Sequence, residues 1–168
     1  MSDLIFDNGE FARAGKTLSR ELALADLPRV ASEVLGGGPV QFVLAGGVDR
    51  LERPYLDLGI TAMLELKCQR CLKPMPFELD VAARFTLFRD EERLDEAEAE
   101  DEELEGLVFE HEFDPLNLVE DEILLSLPFS PVHEACEAEA TPVADVVPQK
   151  PNPFAVLADL KGKLKRGE

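Results

Sequence analysis

Two long stretches of alternating apolar and polar residues, separated by a short loop, constrain the fold of this chain most strongly. The even positions are apolar from Leu56 to Cys68, and the odd positions are apolar from Phe77 to Leu87. A period of two residues is typical of a β-strand with one buried face. The loop between the stretches carries the sequence Cys68-Gln69-Arg70-Cys71. The pattern predicts an antiparallel pair of strands with a Cys-x-x-Cys sequence at its tip.

Shorter segments around this pair predict helices and one further strand. The alternation in 40–44 predicts a strand. Asp26 is expected to cap a helix that the glycines 36–38 end. Asp114 and Pro115 are expected to begin a second helix, which Pro128 ends. The predicted fold class is α+β, with an antiparallel sheet of about four to five strands packed against one or two helices.

The chain of 168 residues fits one domain with a tail. We expect residues 1–136 to form a single α+β domain. Within it, residues 90–105 contain eleven acidic residues and one base. Because like charges at this density repel, this segment is expected to be a mobile acidic loop. Residues 137–168 are expected to form a linker and a short C-terminal amphipathic helix with a basic end.

The three cysteines and one histidine form the candidate site. The spacing of Cys68 and Cys71 lets both thiolates point at one ion, and His133 and Cys136 repeat that spacing. If the two pairs meet, they complete a tetrahedral site for one zinc ion. Four protein ligands leave no open position for a substrate, so the expected role is structural.

Two alternatives to this site stay open. The pairs are far apart in sequence, and if the fold keeps them apart they bind no metal. Cys68 and Cys71 also fit a thiol-based redox or metal sensor, although redox Cys-x-x-Cys motifs normally open a helix. An odd number of cysteines is a poor disulfide framework and favours reduced thiols in the cytoplasm.

Charge and composition restrict the partners and activities of the chain. There are 17 basic and 35 acidic residues, giving a net charge of −18, with acids concentrated in 90–105 and 120–122. Sequence-independent binding to nucleic acid depends on Lys and Arg, so a basic protein is the favoured partner. No apolar run is long enough to span a membrane. No nucleophile, base and orienting group are assembled in the sequence, so we expect neither an enzyme nor a small-molecule substrate.

Three segments in order resemble the YceD family of large ribosomal RNA subunit accumulation proteins. They are Leu66–Pro74, Leu118–Pro128 with its continuation to His133, and Lys150–Ala158. The resemblance implies a bacterial cytoplasmic protein needed for the synthesis, processing or stability of 23S rRNA. Genes of this family commonly neighbour one for a small, basic large-subunit ribosomal protein. The expected partner is therefore such a protein or a pre-50S particle.

Contact with rRNA is expected to be local or indirect. The candidate RNA-facing or partner-facing groups are Arg70, Lys73, Lys161, Lys163, Lys165 and Arg166. An alternative function is a direct rRNA-binding protein that uses these basic groups. The same residues also fit a solvated loop and a cluster of charges at a helix end.

Overall fold

The computed structural model of the chain describes residues 4–136. The strands are β1 (Thr17–Leu22), β2 (Gly36–Gly37), β3 (Val40–Val48), β4 (Pro54–Lys67), β5 (Pro74–Phe88) and β6 (Glu105–Val108). The helices are α1 (Asn8–Arg13), α2 (Pro28–Glu33), α3 (Glu91–Glu100) and α4 (Pro115–Ser126). The fold class is α+β, as predicted. The predicted linker and C-terminal helix lie outside the described residues, so the division of the chain at residue 136 stays a prediction.

Strands β4 and β5 form the predicted antiparallel pair. Their register runs from Tyr55 opposite Thr86 to Lys67 opposite Pro74. Apolar residues at alternate positions of both strands are buried, which gives the pair one dry face. The loop that joins the strands holds Cys68 and Cys71 beyond the end of the sheet.

The other strands extend this pair into a sheet with the order β1-β3-β4-β5-β6, and β2 pairs with β4. Every pairing is antiparallel except that of β5 with β6, which is parallel. The parallel edge was not predicted. Because α3 carries the chain back between β5 and β6, β6 enters the sheet in the same direction as β5.

One face of the sheet and three helices form the hydrophobic core. Phe42 and Leu44 of β3, Val30 of α2, and Val119 and Ile123 of α4 are at most 1% exposed. Helix α4 begins as predicted, with the Asp114 carboxylate accepting a hydrogen bond from the Leu116 N–H at 2.9 Å.

The start of α2 differs from the prediction. Asp26 lies in a 3-10 turn (Leu24–Asp26), and its carboxylate accepts a hydrogen bond from the Ala23 N–H at 3.1 Å. Helix α2 starts at Pro28, whose missing N–H needs no cap. The end of α2 also differs, because the helix stops at Glu33 and Val34 is already extended, before the glycines 36–38. Gly36 and Gly37 instead pair with β4 as β2. A side chain at Gly37 would collide with the backbone of Met63.

The predicted acidic loop is instead helix α3 over most of its length. Glu, Ala, Leu and Arg are strong helix formers, and this preference outweighs the repulsion between neighbouring acids. The Asp90 carboxylate caps the helix by accepting a hydrogen bond from the Arg93 N–H at 3.0 Å. Leu94 packs over Gly106 of β6, where a side chain would collide with it. The packing of Leu94 therefore attaches the acidic segment to the sheet.

Candidate metal centre

The structure brings together the four residues that the sequence suggested as ligands. Cys68 and Cys71 lie in the loop between β4 and β5, and His133 and Cys136 lie in the segment that follows α4. This segment folds back over the loop, where Pro131 accepts a hydrogen bond from the Gln69 N–H at 2.8 Å. The four ligand atoms all lie within 4.8 Å of one another, close enough to bind one metal ion.

Two distances inside this cluster match a tetrahedral zinc site. Two thiolates at about 2.3 Å from a common zinc ion lie about 3.8 Å apart, and a thiolate and an imidazole lie about 3.5 Å apart. The Cys68 and Cys136 sulfurs are 3.7 Å apart, and the Cys71 sulfur is 3.4 Å from His133 Nδ1. All three cysteines are free thiols, so the donor set is three sulfurs and one imidazole nitrogen.

The local turn is shaped to present both cysteines. The Cys68 N–H donates to the Lys73 carbonyl at 3.0 Å, and the Leu72 N–H donates to the Cys68 carbonyl at 2.9 Å. Leu72 has a φ of 61°, in the left-handed region that a leucine adopts only at a cost. The chain therefore accepts local strain directly after Cys71, where it turns back toward β5.

The environment of the thiols favours a thiolate at Cys68. Burial raises the pKa of this thiol, but hydrogen bonds from the backbone N–H groups of Cys71, His133 and Arg70 outweigh it and lower the pKa to about 5. The pKa of Cys136 is raised, by burial and by its contacts with the other two sulfurs. At neutral pH one sulfur is therefore already in the form that binds a metal.

Contacts outside the ligand atoms fix the orientation of His133. Its Nε2 atom lies 3.2 Å from the Pro74 carbonyl, which accepts a hydrogen bond when that nitrogen is protonated. This arrangement leaves Nδ1 as the nitrogen that faces the sulfurs. The guanidinium of Arg70 donates to the His133 carbonyl at 2.8 Å, joining the two halves of the centre.

The predicted basic contact residues fall into two groups. Arg70 and Lys73 lie in the loop of the metal centre and are exposed. Arg70 is engaged with the His133 carbonyl, so it has a role inside the centre that the sequence did not suggest. Lys161, Lys163, Lys165 and Arg166 lie outside the described residues. Contact of either group with RNA stays a prediction.

Glu120 is a second polar residue whose role the sequence did not suggest. It is 5% exposed, and its carboxylate accepts a hydrogen bond from the Arg29 N–H at 2.7 Å. The adjacent Asp121 pairs with the Arg29 guanidinium at 2.6 Å. Glu120 lies four residues after Leu116 and three before Ile123, which is the spacing of the buried face and a signal for its position.

Comparison with known proteins assigns the chain to a family. A family model described as Large ribosomal RNA subunit accumulation protein YceD matches residues 56–161. The chain belongs to the YceD family. The Large ribosomal RNA subunit accumulation protein YceD of Haemophilus influenzae is 34% identical over 149 residues, covering 84% of this chain and 85% of the relative. No solved structure matches the chain.

The YceD match includes all four residues of the candidate metal centre, since it begins within β4 and extends past Cys136. The resemblance noted in the sequence is thus confirmed. In the part of the chain that the structure describes, no helix has the length and apolar character needed to cross a membrane.

Proposed function

We propose that this YceD family member is a non-enzymatic ribosome-biogenesis factor, needed in the cytoplasm for the synthesis, processing or stability of 23S rRNA. The observation that carries the proposal is the family itself, because the Haemophilus influenzae relative is named for accumulation of the large ribosomal RNA subunit. The relative covers most of this chain, so the proposal applies to the chain as a whole.

We propose further that the protein acts through a basic ribosomal protein. All acidic residues of α3 are exposed, and the net charge of the chain is −18. A surface of this kind repels the phosphates of naked rRNA and attracts a protein rich in Lys and Arg. An unassembled ribosomal protein of that kind binds RNA indiscriminately, and an acidic partner shields it.

The role proposed for the metal centre is to hold one structural zinc ion. Cys68, Cys71, His133 and Cys136 would supply all four ligands, so zinc would have no open position for chemistry. Bound zinc would fix the segment after α4 to the loop between β4 and β5. The family function and this structural role are independent, and each has its own test.

A clean deletion of the gene tests the cellular function. We expect less 23S rRNA relative to 16S rRNA, or immature 23S ends, with recovery when the wild-type gene is returned. The measurement is rRNA quantification and end mapping at several growth temperatures. Unchanged ratios and ends would contradict the proposal.

Binding measurements test the proposed partner. The full-length chain is immobilised and exposed, at physiological salt, to proteins extracted from purified large ribosomal subunits and to protein-free 23S rRNA fragments. We expect a basic ribosomal protein, identified by mass spectrometry, to bind more tightly than the RNA. Tighter binding of the RNA, lost when Arg70 and Lys73 are replaced, would instead support the direct rRNA-binding alternative.

A further inference from the structure

The sheet has a second face, opposite the core, whose centre is exposed in the described structure. Val43, Gly59 and Ala82 are register partners on three adjacent strands and face this side. Val43 is 45% exposed, and Ala82 is also exposed. Two adjoining depressions of about 460 Å³ each share these three residues. The centre of the open face is therefore shallow, uncharged and free of large side chains.

Acidic residues surround this centre. On β1, β3, β4 and β5 the side chains of the open face include five acids and two bases, which are Glu21, Asp57, Glu65, Glu78, Asp80, Lys67 and Arg84. Asp57 and Arg84 neutralise each other through two hydrogen bonds at 2.6 and 2.8 Å. Glu78 and Asp80 form no ion pair or side-chain hydrogen bond with any other residue in 4–136. The remaining charge on this face is negative.

Helix α3 adds to the same side of the molecule. Gly106, over which Leu94 packs, is the register partner of Thr86. Thr86 points away from the core residues Phe85 and Leu87 that flank it, so Leu94 and α3 lie on the open face. The seven acids of 90–100 therefore border the negative strands at the β5–β6 end of the sheet.

We infer that the open face of β1, β3, β4 and β5 is the docking surface for a Lys- and Arg-rich segment of the basic ribosomal protein, an inference that rests on the proposed function. The shallow centre around Gly59 accepts the backbone or a short apolar side chain of that segment. The acids at its borders, Asp80 among them, pair with Lys and Arg. An uncharged centre with acidic borders fits a segment of this composition, whereas a surface that only repels nucleic acid would need no such centre.

The same charges disfavour two other occupants. RNA would bring phosphates against Glu78 and Asp80. A second copy of the chain, docked face to face about a two-fold axis, would bring one predominantly acidic surface against an identical one. Arg20, which also borders one depression, is a single cation and does not reverse this balance.

Three full-length variants test the docking surface, through their binding to the ribosomal protein that the wild type captures. Gly59→Leu fills the centre without a change of charge, and the nearest atom to an added Cβ there is the Val81 carbonyl at 4.0 Å. Ala82→Arg adds a cation on the face. Ala31→Arg is the control, because it makes the same change at an exposed residue of α2. Thermal melting and light scattering establish that each variant folds and report its oligomeric state.

We expect Gly59→Leu and Ala82→Arg each to weaken binding at least tenfold, mainly through faster dissociation, and Ala31→Arg to change it less than twofold. If a ribosomal protein is captured but both face variants bind it like the wild type, the docking surface is wrong and the proposed partner stands. If only Ala82→Arg weakens binding, the added charge acts at a distance, and direct docking on the open face is overturned. A dimeric wild type made monomeric by Gly59→Leu would assign the face to a second copy. If no ribosomal protein is captured, both the proposed partner and the docking surface are overturned.

Discussion

Polar residues serve different purposes in two regions of this molecule. Around the metal centre and α4 they are engaged in internal contacts, as with Arg70 on the His133 carbonyl and Glu120 on the Arg29 N–H. On α3 and the open face of the sheet, most acids are exposed, and Glu78 and Asp80 have no partner in the described structure. Residue type alone does not separate the two regions, since both contain several carboxylates.

The internal contacts of the first region stabilise the fold, and the exposed charges of the second are available for recognition. Where a contact of the first region is buried, as at Glu120, removal of one partner leaves the desolvation of the other uncompensated, so the substitution should change folding. An exposed charge is solvated before and after substitution, so changes in the second region should affect encounters with other molecules and hardly affect folding.

Loss of one of the proposed zinc ligands should give the largest effect. We expect about one zinc per chain in the untagged protein, and we expect Cys68→Ser to lower Tm by about 10 °C or more, because a structural site contributes its binding free energy to folding. Elemental analysis and calorimetry measure both quantities.

A chelator provides the control for this variant. It should lower the Tm of the wild type toward that of Cys68→Ser and leave the variant unchanged. Metal-free wild-type protein with the same Tm as Cys68→Ser, unaffected by chelator, would show that the four residues meet without holding a metal.

Removal of the buried carboxylate of Glu120 should have the next largest effect. Glu120→Ala leaves the Arg29 N–H without its acceptor and creates a cavity, which should cost about 1–3 kcal/mol of unfolding free energy. Glu120→Gln is the matched control, because it keeps an acceptor oxygen and most of the volume. Urea unfolding of the three proteins measures the difference. Equal losses of unfolding free energy in Glu120→Ala and Glu120→Gln would mean that the charge, and not the hydrogen bond, stabilises the fold at this position.

The sequence predicted best where the pattern is regular and local. The alternation on either side of Cys68 and Cys71 gave the long strand pair, and Asp114 with Pro115 gave the start of α4. The repeated spacing of Cys and His residues gave the four members of the cluster, although only the fold could bring the two halves together. The features that the sequence did not predict depend on tertiary contacts, such as the packing of Leu94 over Gly106. In α3 they depend on the competition between helix propensity and repulsion among acidic side chains.

The cap of α4 tests a smaller internal contact. Asp114→Ala removes the acceptor for the Leu116 N–H and should cost about 1 kcal/mol. Asp114→Asn keeps an acceptor at the same position and should stay within a few tenths of a kcal/mol of the wild type. Chemical denaturation compares them. If Asn is as destabilising as Ala, the carboxylate acts by its charge on the helix dipole and the hydrogen bond is secondary.

Neutralisation of α3 should have the smallest effect on the fold and a clear effect on recognition. The variant replaces with Gln the five glutamates of α3, which are Glu91, Glu92, Glu96, Glu98 and Glu100. Gln has nearly the helix propensity of Glu, and the cap Asp90 is retained, so the unfolding free energy should change by less than about 0.5 kcal/mol. Association with the captured ribosomal protein should slow about tenfold at low salt, because the lost charges steer the encounter, while dissociation changes less than twofold.

Salt and a matched control decide whether this effect is steering. Charges on the surface are screened over about 8–10 Å at physiological ionic strength, so the difference in association rate should shrink as salt increases. The control replaces five exposed glutamates on other elements and loops, which are Glu10, Glu33, Glu52, Glu110 and Glu112. An equal slowing in the control would mean that net charge alone sets the rate. No slowing in either variant would mean that α3 serves only solubility, and docking would then depend on the open face of the sheet without help from the helix beside it.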